Sequence, residues 1–214
     1  MKIKKALSLL LVLVSIFTFT VNTFAIDYTG TAVYRDGVTG GEWHAGISTN
    51  SVGDQIGMAR GLDELTDNVS LSIFINPKNT MNNNFKGYYC KDPDGLLTDK
   101  EIKAIYTSIA STAKSLGNAH KPYTLLLPMD IYAGSGSITT SRIASLRCDG
   151  FAEYCYEYNG TPVMSFVGKA PNYKMEWNIS TNDGWYAHCF YSDGSPAPTR
   201  MTPKTQAGYM SKLP

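Results

Sequence analysis

One short stretch of the chain decides how the rest of the fold is interpreted, and it reads Arg147-Cys148-Asp149-Gly150-Phe151-Ala152-Glu153-Tyr154-Cys155-Tyr156. The stretch continues to Tyr158, and Asn159-Gly160 with Pro162 shortly beyond is typical of the end of a helix. The sequence therefore predicts a helix over residues 148 to 158, with a cysteine in its first turn.

A cysteine at the start of a helix has a physical reason to be reactive. The unsatisfied N–H groups and the positive end of the helix dipole stabilise a thiolate, and the same N–H groups can hold an oxyanion. We therefore expect the pKa of Cys148 to lie below the value of about 8.5 of a free thiol. The expected base is His44, in Trp43-His44-Ala45-Gly46-Ile47, on a strand whose small residues leave room for a substrate.

These two motifs resemble the functional motifs of a known superfamily. Cys148-Asp149-Gly150-Phe151 is similar to the Cys-Ser-Gly-Phe start of the nucleophile helix in NlpC-type papain-like hydrolases, and His44-Ala45-Gly46-Ile47 is similar to their His-Val-Gly-Ile strand. Histidine precedes cysteine here, whereas the usual order is the reverse. That order resembles the circularly permuted branch, which includes the YiiX-like hydrolases and the lecithin retinol acyltransferase-like proteins.

The resemblance implies a fold and a site. The fold would be α+β and permuted papain-like, with a small antiparallel sheet packed against the nucleophile helix. The site would pair Cys148 with His44, and the third member would be a polar residue in the next strand. Alignment of that strand places Met58 there, which cannot orient an imidazole by a hydrogen bond. Gln55 is the candidate orienting residue if the register differs by a few residues.

The activity that the resemblance implies is thiol hydrolysis of an amide or peptide bond, with bacterial cell-wall material as the expected substrate. The alternative is a non-catalytic secreted module that binds cell-wall glycan or peptide, with Cys148 in a disulfide. Aromatic residues near the end of the chain could form such a binding platform, or could belong to a β-rich core: Trp177, Trp185, Tyr186 and Tyr191. Neither interpretation needs a cofactor.

The beginning of the chain has the pattern of a secretory leader. A basic start with Lys2, Lys4 and Lys5 is followed by an apolar run and then by small or polar residues that end at Ala25. We expect residues 1–25 to be removed and residues 26–214 to form a single secreted domain. Without the three leader lysines, 16 basic residues face 18 acidic ones, a net charge of −2, so nucleic acid is not an expected partner. No later apolar stretch approaches the length of a membrane span.

Local signals predict most of the other elements. Thr98-Asp99-Lys100-Glu101 is a capping box that begins a helix ending near Gly117-Asn118. The Asn-rich stretch 76–89 is expected to be a loop, and the end of the chain a Pro-rich tail. Alternation and turn residues predict short strands over residues 31–34, 42–48, 55–59, 69–75, 123–127, 163–167 and 185–191.

The four cysteines allow several arrangements. Cys148 and Cys155 lie too far apart on one helix to pair, so the two complete pairings left are 90–148 with 155–189, and 148–189 with 90–155. If Cys148 is a working thiol, at most one disulfide forms among the others. The cysteine and histidine spacings do not suggest zinc, and we expect no metal. Residues 90–101 match much of a calcium-binding loop, but the capping box already explains Glu101 and is the preferred interpretation.

Overall fold

The computed structural model describes residues 26–36, 43–59, 64–75, 85–93, 96–124, 129–132, 139–161, 163 and 202–214. The predicted leader, the stretches predicted as strands over 163–167 and 185–191, and the aromatic residues Trp177 to Tyr191 therefore lie outside the described residues, apart from Val163. Cys189 and the centre of the calcium-like loop, Asp94 and Gly95, lie outside them as well.

The described elements alternate strands with a few helices. In chain order they are β1 (Ala32–Arg35), β2 (His44–Ser48), β3 (Gln55–Met58), β4 (Asp67–Ser70), α1 (Leu71–Ile75), β5 (Phe85–Cys90), α2 (Asp99–Asn118), β6 (Met129–Ile131), a 3-10 turn (Thr140–Arg142), β7 (Ile143–Leu146), α3 (Cys148–Glu157), α4 (Pro203–Ala207) and β8 (Ser211–Lys212).

Six of these strands form one antiparallel sheet in the order β4-β3-β2-β1-β5-β8. β6 and β7 form a separate antiparallel pair. The protein is therefore an α+β protein with an antiparallel sheet, as the sequence predicts. Within the described parts of the chain, no helix combines the length and the apolar character that crossing a bilayer requires.

The sheet has two different faces because side chains alternate along each strand. The helix face carries Ala32, Tyr34, Ala45 and Ile47 and packs with α2 and α3 in the larger apolar core. The Phe74 face carries Val33, Ile56, Met58 and Val69 and packs with Phe74 of α1 in a second core. The candidate site residues divide between the helix face and the Phe74 face.

α2 confirms the predicted capping box. The Thr98 backbone N–H donates to Glu101 Oε2 at 2.8 Å, and the Glu101 backbone N–H donates to Thr98 Oγ1 at 3.4 Å. The hydrogen bonds from Thr98 lower the pKa of Glu101. The apolar side of the helix faces the sheet, with Ile109, Ala113 and Leu116 buried.

α3 also has nearly the predicted bounds, Cys148–Glu157, and all ten of its residues are buried. It lies against the sheet where Gly57 leaves space. A Cβ atom at Gly57 would come within 3.0 Å of the Ala113 carbonyl oxygen and 3.2 Å of the Phe151 ring. The absence of a side chain at this position therefore lets α2 and α3 approach the sheet closely.

Three of the predicted elements are wrong. The strand predicted over 69–75 is β4 followed by α1, because the Ser70 hydroxyl accepts the Ile73 N–H and begins a helix. The loop predicted over 76–89 contains β5, whose aromatic residues pair with β1. The predicted Pro-rich tail contains α4 and β8, with Thr202 as N-cap and Pro203 in the first turn.

Removing the α2 cap tests how much this helix depends on it. We expect Thr98→Ala to lower the free energy of unfolding by about 1 kcal/mol, because an orphan N–H group of the first turn loses its partner. Thr107→Ala, an exposed position in the same helix, is the matched control and should be neutral or slightly stabilising. Urea unfolding followed by circular dichroism measures both, and equal effects would contradict the prediction.

Candidate functional site

Cys148 is the first residue of α3 and is only 6% exposed. The residue before it, Arg147, occupies the N-cap position in an extended conformation but makes no side-chain cap hydrogen bond. Cys148 belongs to the larger apolar core. The backbone of Ala45 in β2 lies within hydrogen-bond reach of the thiol. The structure thus places the predicted nucleophile at the helix start and on the helix face of the sheet.

The start of α3 is held by a partly buried ion pair. Arg147 donates through Nε to Asp149 Oδ1 at 2.9 Å and through Nη2 to Oδ2 at 2.6 Å. The Asp149 carboxyl is fully buried and also accepts the Gly150 N–H at 2.9 Å. Burial raises the pKa of Asp149, and the ion pair with Arg147 opposes that rise. A carboxylate in the first turn of a helix also interacts favourably with the helix dipole.

The expectation of an acidic thiol is wrong for this arrangement. Burial raises the pKa of Cys148 to about 12, and the nearby Asp149 carboxylate acts in the same direction. The backbone hydrogen bonds at Ala45 and Asp149 and the Arg147 guanidinium lower it by less. Desolvation therefore outweighs the helix start, and the thiol is protonated at neutral pH.

His44 is the first residue of β2 and is 3% exposed. Its ring stacks on Phe74 with the ring centroids 5.7 Å apart and the planes 28° apart. It lies directly opposite Arg35 of β1, whose guanidinium is 5.7 Å from the centre of the same Phe74 ring. His44 therefore points to the Phe74 face, whereas Ala45 and Cys148 are on the helix face. The structure does not bring the imidazole and the thiol together.

Gln55 does not approach His44 either. Gln55 is exposed at the first residue of β3, and the β2–β3 register puts it five residues along the sheet from the level of His44. At about 3.3 Å per residue this is roughly 17 Å. Met58 is opposite Gly46 and shares the Phe74 face with His44, so the position aligned with the third member of the triad holds an apolar side chain.

The described cysteines are all free thiols, namely Cys90, Cys148 and Cys155. Neither of the two complete pairings is therefore formed. Burial raises the pKa of Cys90 and of Cys155 as well. Among the described residues, no group of three or more histidine, cysteine, aspartate or glutamate side chains could hold a metal ion.

The residues that surround the start of α3 include three that the sequence did not indicate. Tyr34, Glu153 and Gln206 are buried on the helix face. Gln206 donates through Nε2 to Glu153 Oε2 at 2.8 Å, and Tyr34 donates to Gln206 Oε1 at 3.3 Å. For the helix that carries Gln206, the sequence did contain a signal: Thr202 is followed by Pro203, and a capping residue before proline is typical of a helix start.

Comparison with protein-family models, with curated proteins and with solved structures finds no significant match to this chain. The fold and the site define the protein as an α+β protein with a cysteine-first helix buried against an antiparallel sheet.

The burial of Cys148 predicts slow alkylation. A thiol with a pKa of about 12 rather than 9.0 has about a thousandfold smaller thiolate fraction at pH 8. We expect iodoacetamide to label Cys148 at least that much more slowly in the native protein than in urea, as measured by peptide mass spectrometry. His44→Ala should leave the native rate unchanged. Fast labelling that depends on His44 would contradict the described geometry.

Proposed function

We propose that the protein is a secreted cysteine hydrolase of permuted papain-like architecture that cleaves an amide or peptide bond in bacterial cell-wall material. The observation that supports it is the position of Cys148, which is the first residue of a helix packed on an antiparallel sheet, next to the strand that begins with His44. The two sequence motifs and the secretory pattern of residues 1–25 support the same proposal.

The start of α3 suits attack on a carbonyl carbon. In the proposed reaction the Cys148 sulfur forms a bond to that carbon, the backbone N–H groups of the first turn hold the oxyanion, and the thiol proton passes to a base. The base then returns the proton to the leaving amine as the C–N bond breaks. Water hydrolyses the thioester and restores the thiol.

The described arrangement is a resting one under this proposal. The thiol is protonated and covered, and the His44 ring lies across the sheet. Catalysis requires a form in which Cys148 is hydrated and a base reaches it. His44 remains the proposed base because it is the first residue of β2. Turning it toward α3 would break its pairing with Arg35 and its stacking on Phe74 and would leave the pairing of Gly46 to Ser48 with β3 intact.

Substitution of the proposed nucleophile tests the activity. We expect Cys148→Ala to abolish the release of new amino groups from purified cell wall, because no other group forms the thioester. Cys155→Ala is the matched control, since it removes a second buried thiol of the same helix and should keep the activity. Circular dichroism shows whether each variant is folded, and unchanged hydrolysis in Cys148→Ala would exclude the mechanism.

The second candidate function, a non-catalytic module that binds cell-wall glycan or peptide, is favoured by a different observation. Tyr28, Phe85 and Tyr88 form an aromatic cluster at the sheet. The centroids of Tyr28 and Tyr88 are 4.1 Å apart, and Phe85 meets Tyr88 edge-on at 5.4 Å. Phe85 is 36% exposed, and the two tyrosines are half-buried. The three rings offer flat apolar surface to a ligand, and the two tyrosines add a polar hydroxyl.

Removal of one ring separates the two functions. We expect Tyr28→Ala to weaken retention on purified cell wall roughly fivefold if this cluster binds, which corresponds to about 1 kcal/mol for one aromatic contact. Tyr132→Ala, at an exposed tyrosine directly after β6, is the control and should bind like the wild type. Sedimentation with the insoluble wall measures both, and equal retention of the two variants would remove the aromatic cluster as a binding surface.

A further inference from the structure

The segment 202–214 lies over the same end of α3 that carries Cys148. It consists of α4, a turn and β8. β8 pairs with the edge of β5 through only two residues, Lys212 with Tyr89 and Ser211 with Cys90, and Leu213 donates its N–H to the Tyr88 carbonyl at 2.8 Å. This segment, the 202–214 strap, therefore joins the sheet edge to the helix start.

One side chain of the strap, that of Gln206, forms two hydrogen bonds with α3. Gln206 is fully buried. Its Nε2 donates to the Asp149 carbonyl at 3.1 Å and to Glu153 Oε2 at 2.8 Å, so one amide contacts two successive turns of α3. Its Oε1 accepts the Tyr34 hydroxyl at 3.3 Å. Gln206 is thus a latch between the strap, α3 and β1.

The latch lies beside the thiol. Gln206 contacts the carbonyl of Asp149, the residue next to Cys148, and Tyr34 lies opposite Ala45 in the sheet. The Tyr34 hydroxyl contacts both Gln206 Oε1 and, at 3.3 Å, the Met210 sulfur. Ala207 of α4 and Cys148 belong to the same apolar core. The strap therefore packs against the first turn of α3, next to the residue that carries the thiol.

The strap is attached more weakly than the elements beneath it. α4 has only five residues, three of which are buried, and β8 consists of two exposed residues at the edge of the sheet. Elements with few buried contacts open locally at a lower free energy than the core. α3, in contrast, is buried along its whole length. Opening of the strap requires the loss of the β8 pairing and of the Gln206 hydrogen bonds, and none of the hydrogen bonds within α3 or between the central strands.

We propose that the 202–214 strap is a cover that controls access to the Cys148 thiol, with Gln206 as its latch. Closed, it keeps the thiol away from water and from a substrate. Open, it exposes the start of α3. The proposal that the strap controls access to the thiol is argued from the contacts of the strap alone. That this control inhibits a hydrolase rests on the proposed function.

Alkylation of the full chain tests this cover. We expect Gln206→Ala to raise the rate of iodoacetamide labelling at Cys148 tenfold or more, because the Glu153 carboxylate and the Asp149 carbonyl lose their donor when the strap is closed. Lys204→Ala truncates an exposed side chain of the same helix and should label like the wild type. Cys155, buried on the same helix, is the internal reference and should keep its slow rate.

Two results would overturn the proposal. One is an unchanged rate at Cys148 in Gln206→Ala. The other is an equal rise at Cys148 and Cys155, which would indicate global unfolding. If Gln206→Ala does not fold, hydrogen exchange of the wild type decides. The Gln206 and Leu213 amides should exchange faster than the Phe151 amide of α3, and equal protection would show that the strap does not open by itself.

The same variants separate the cover from the activity. Faster labelling together with faster cell-wall hydrolysis in Gln206→Ala supports both proposals. Faster labelling with no hydrolysis in the wild type or in Gln206→Ala supports the cover and contradicts the hydrolase. Unchanged labelling with hydrolysis that is lost in Cys148→Ala overturns the cover and keeps the hydrolase.

Discussion

The rest of the structure depends on the burial of acidic side chains in α3. Asp149, Glu153 and Glu157 all lie within a helix whose ten residues are buried. An isolated carboxylate in an apolar interior is expensive unless it is paired or hydrogen-bonded. Asp149 is paired with Arg147, and Glu153 accepts from Gln206 and from the Val163 N–H. Donors from the residue before the helix, from the segment just after it and from Gln206, 53 residues away from Glu153, therefore satisfy the buried carboxylates of Asp149 and Glu153.

The same constraint explains why the cysteine differs from the sequence-based expectation. A helix start favours a thiolate only where water or other donors also reach the sulfur. Here the helix is surrounded by the sheet, α2 and α4, so burial is the larger effect on Cys148. The local pattern showed where the helix begins, but the degree of burial depends on contacts that no local pattern contains.

Elements with strong local signals could be predicted, and those whose form depends on distant partners could not. The capping box predicted α2, and the Asn159-Gly160 stop predicted the end of α3. β5 is a strand because β1 and β8 pair with its two edges. The Asn-rich sequence before it led to the prediction of a loop over 76–89. α4 was missed although Thr202-Pro203 marks its start. The permuted papain-like fold and the roles of Cys148 and His44 stay predictions.

The division of Cys148 and His44 between two faces was within reach of the sequence. His44-Ala45-Gly46-Ile47-Ser48 alternates, and its two apolar residues, Ala45 and Ile47, belong to the face that an apolar helix would cover. On that pattern His44 points away from the helix. Gln55 could be excluded as the orienting residue only once the register between β2 and β3 was known. A shift of that register by one residue moves every side chain of the strand to the opposite face.

The hydrogen bond between Tyr34 and Gln206 joins residues that are 172 positions apart in the chain. Contacts of such long separation form only after a large loop closes, and proteins dominated by them fold slowly. The central strand β1 carries one end of this contact and a short peripheral helix carries the other. The α3 polar network is therefore complete only when these two distant parts of the chain have been brought together, so that its last contact depends on the whole chain between them being synthesised and folded back.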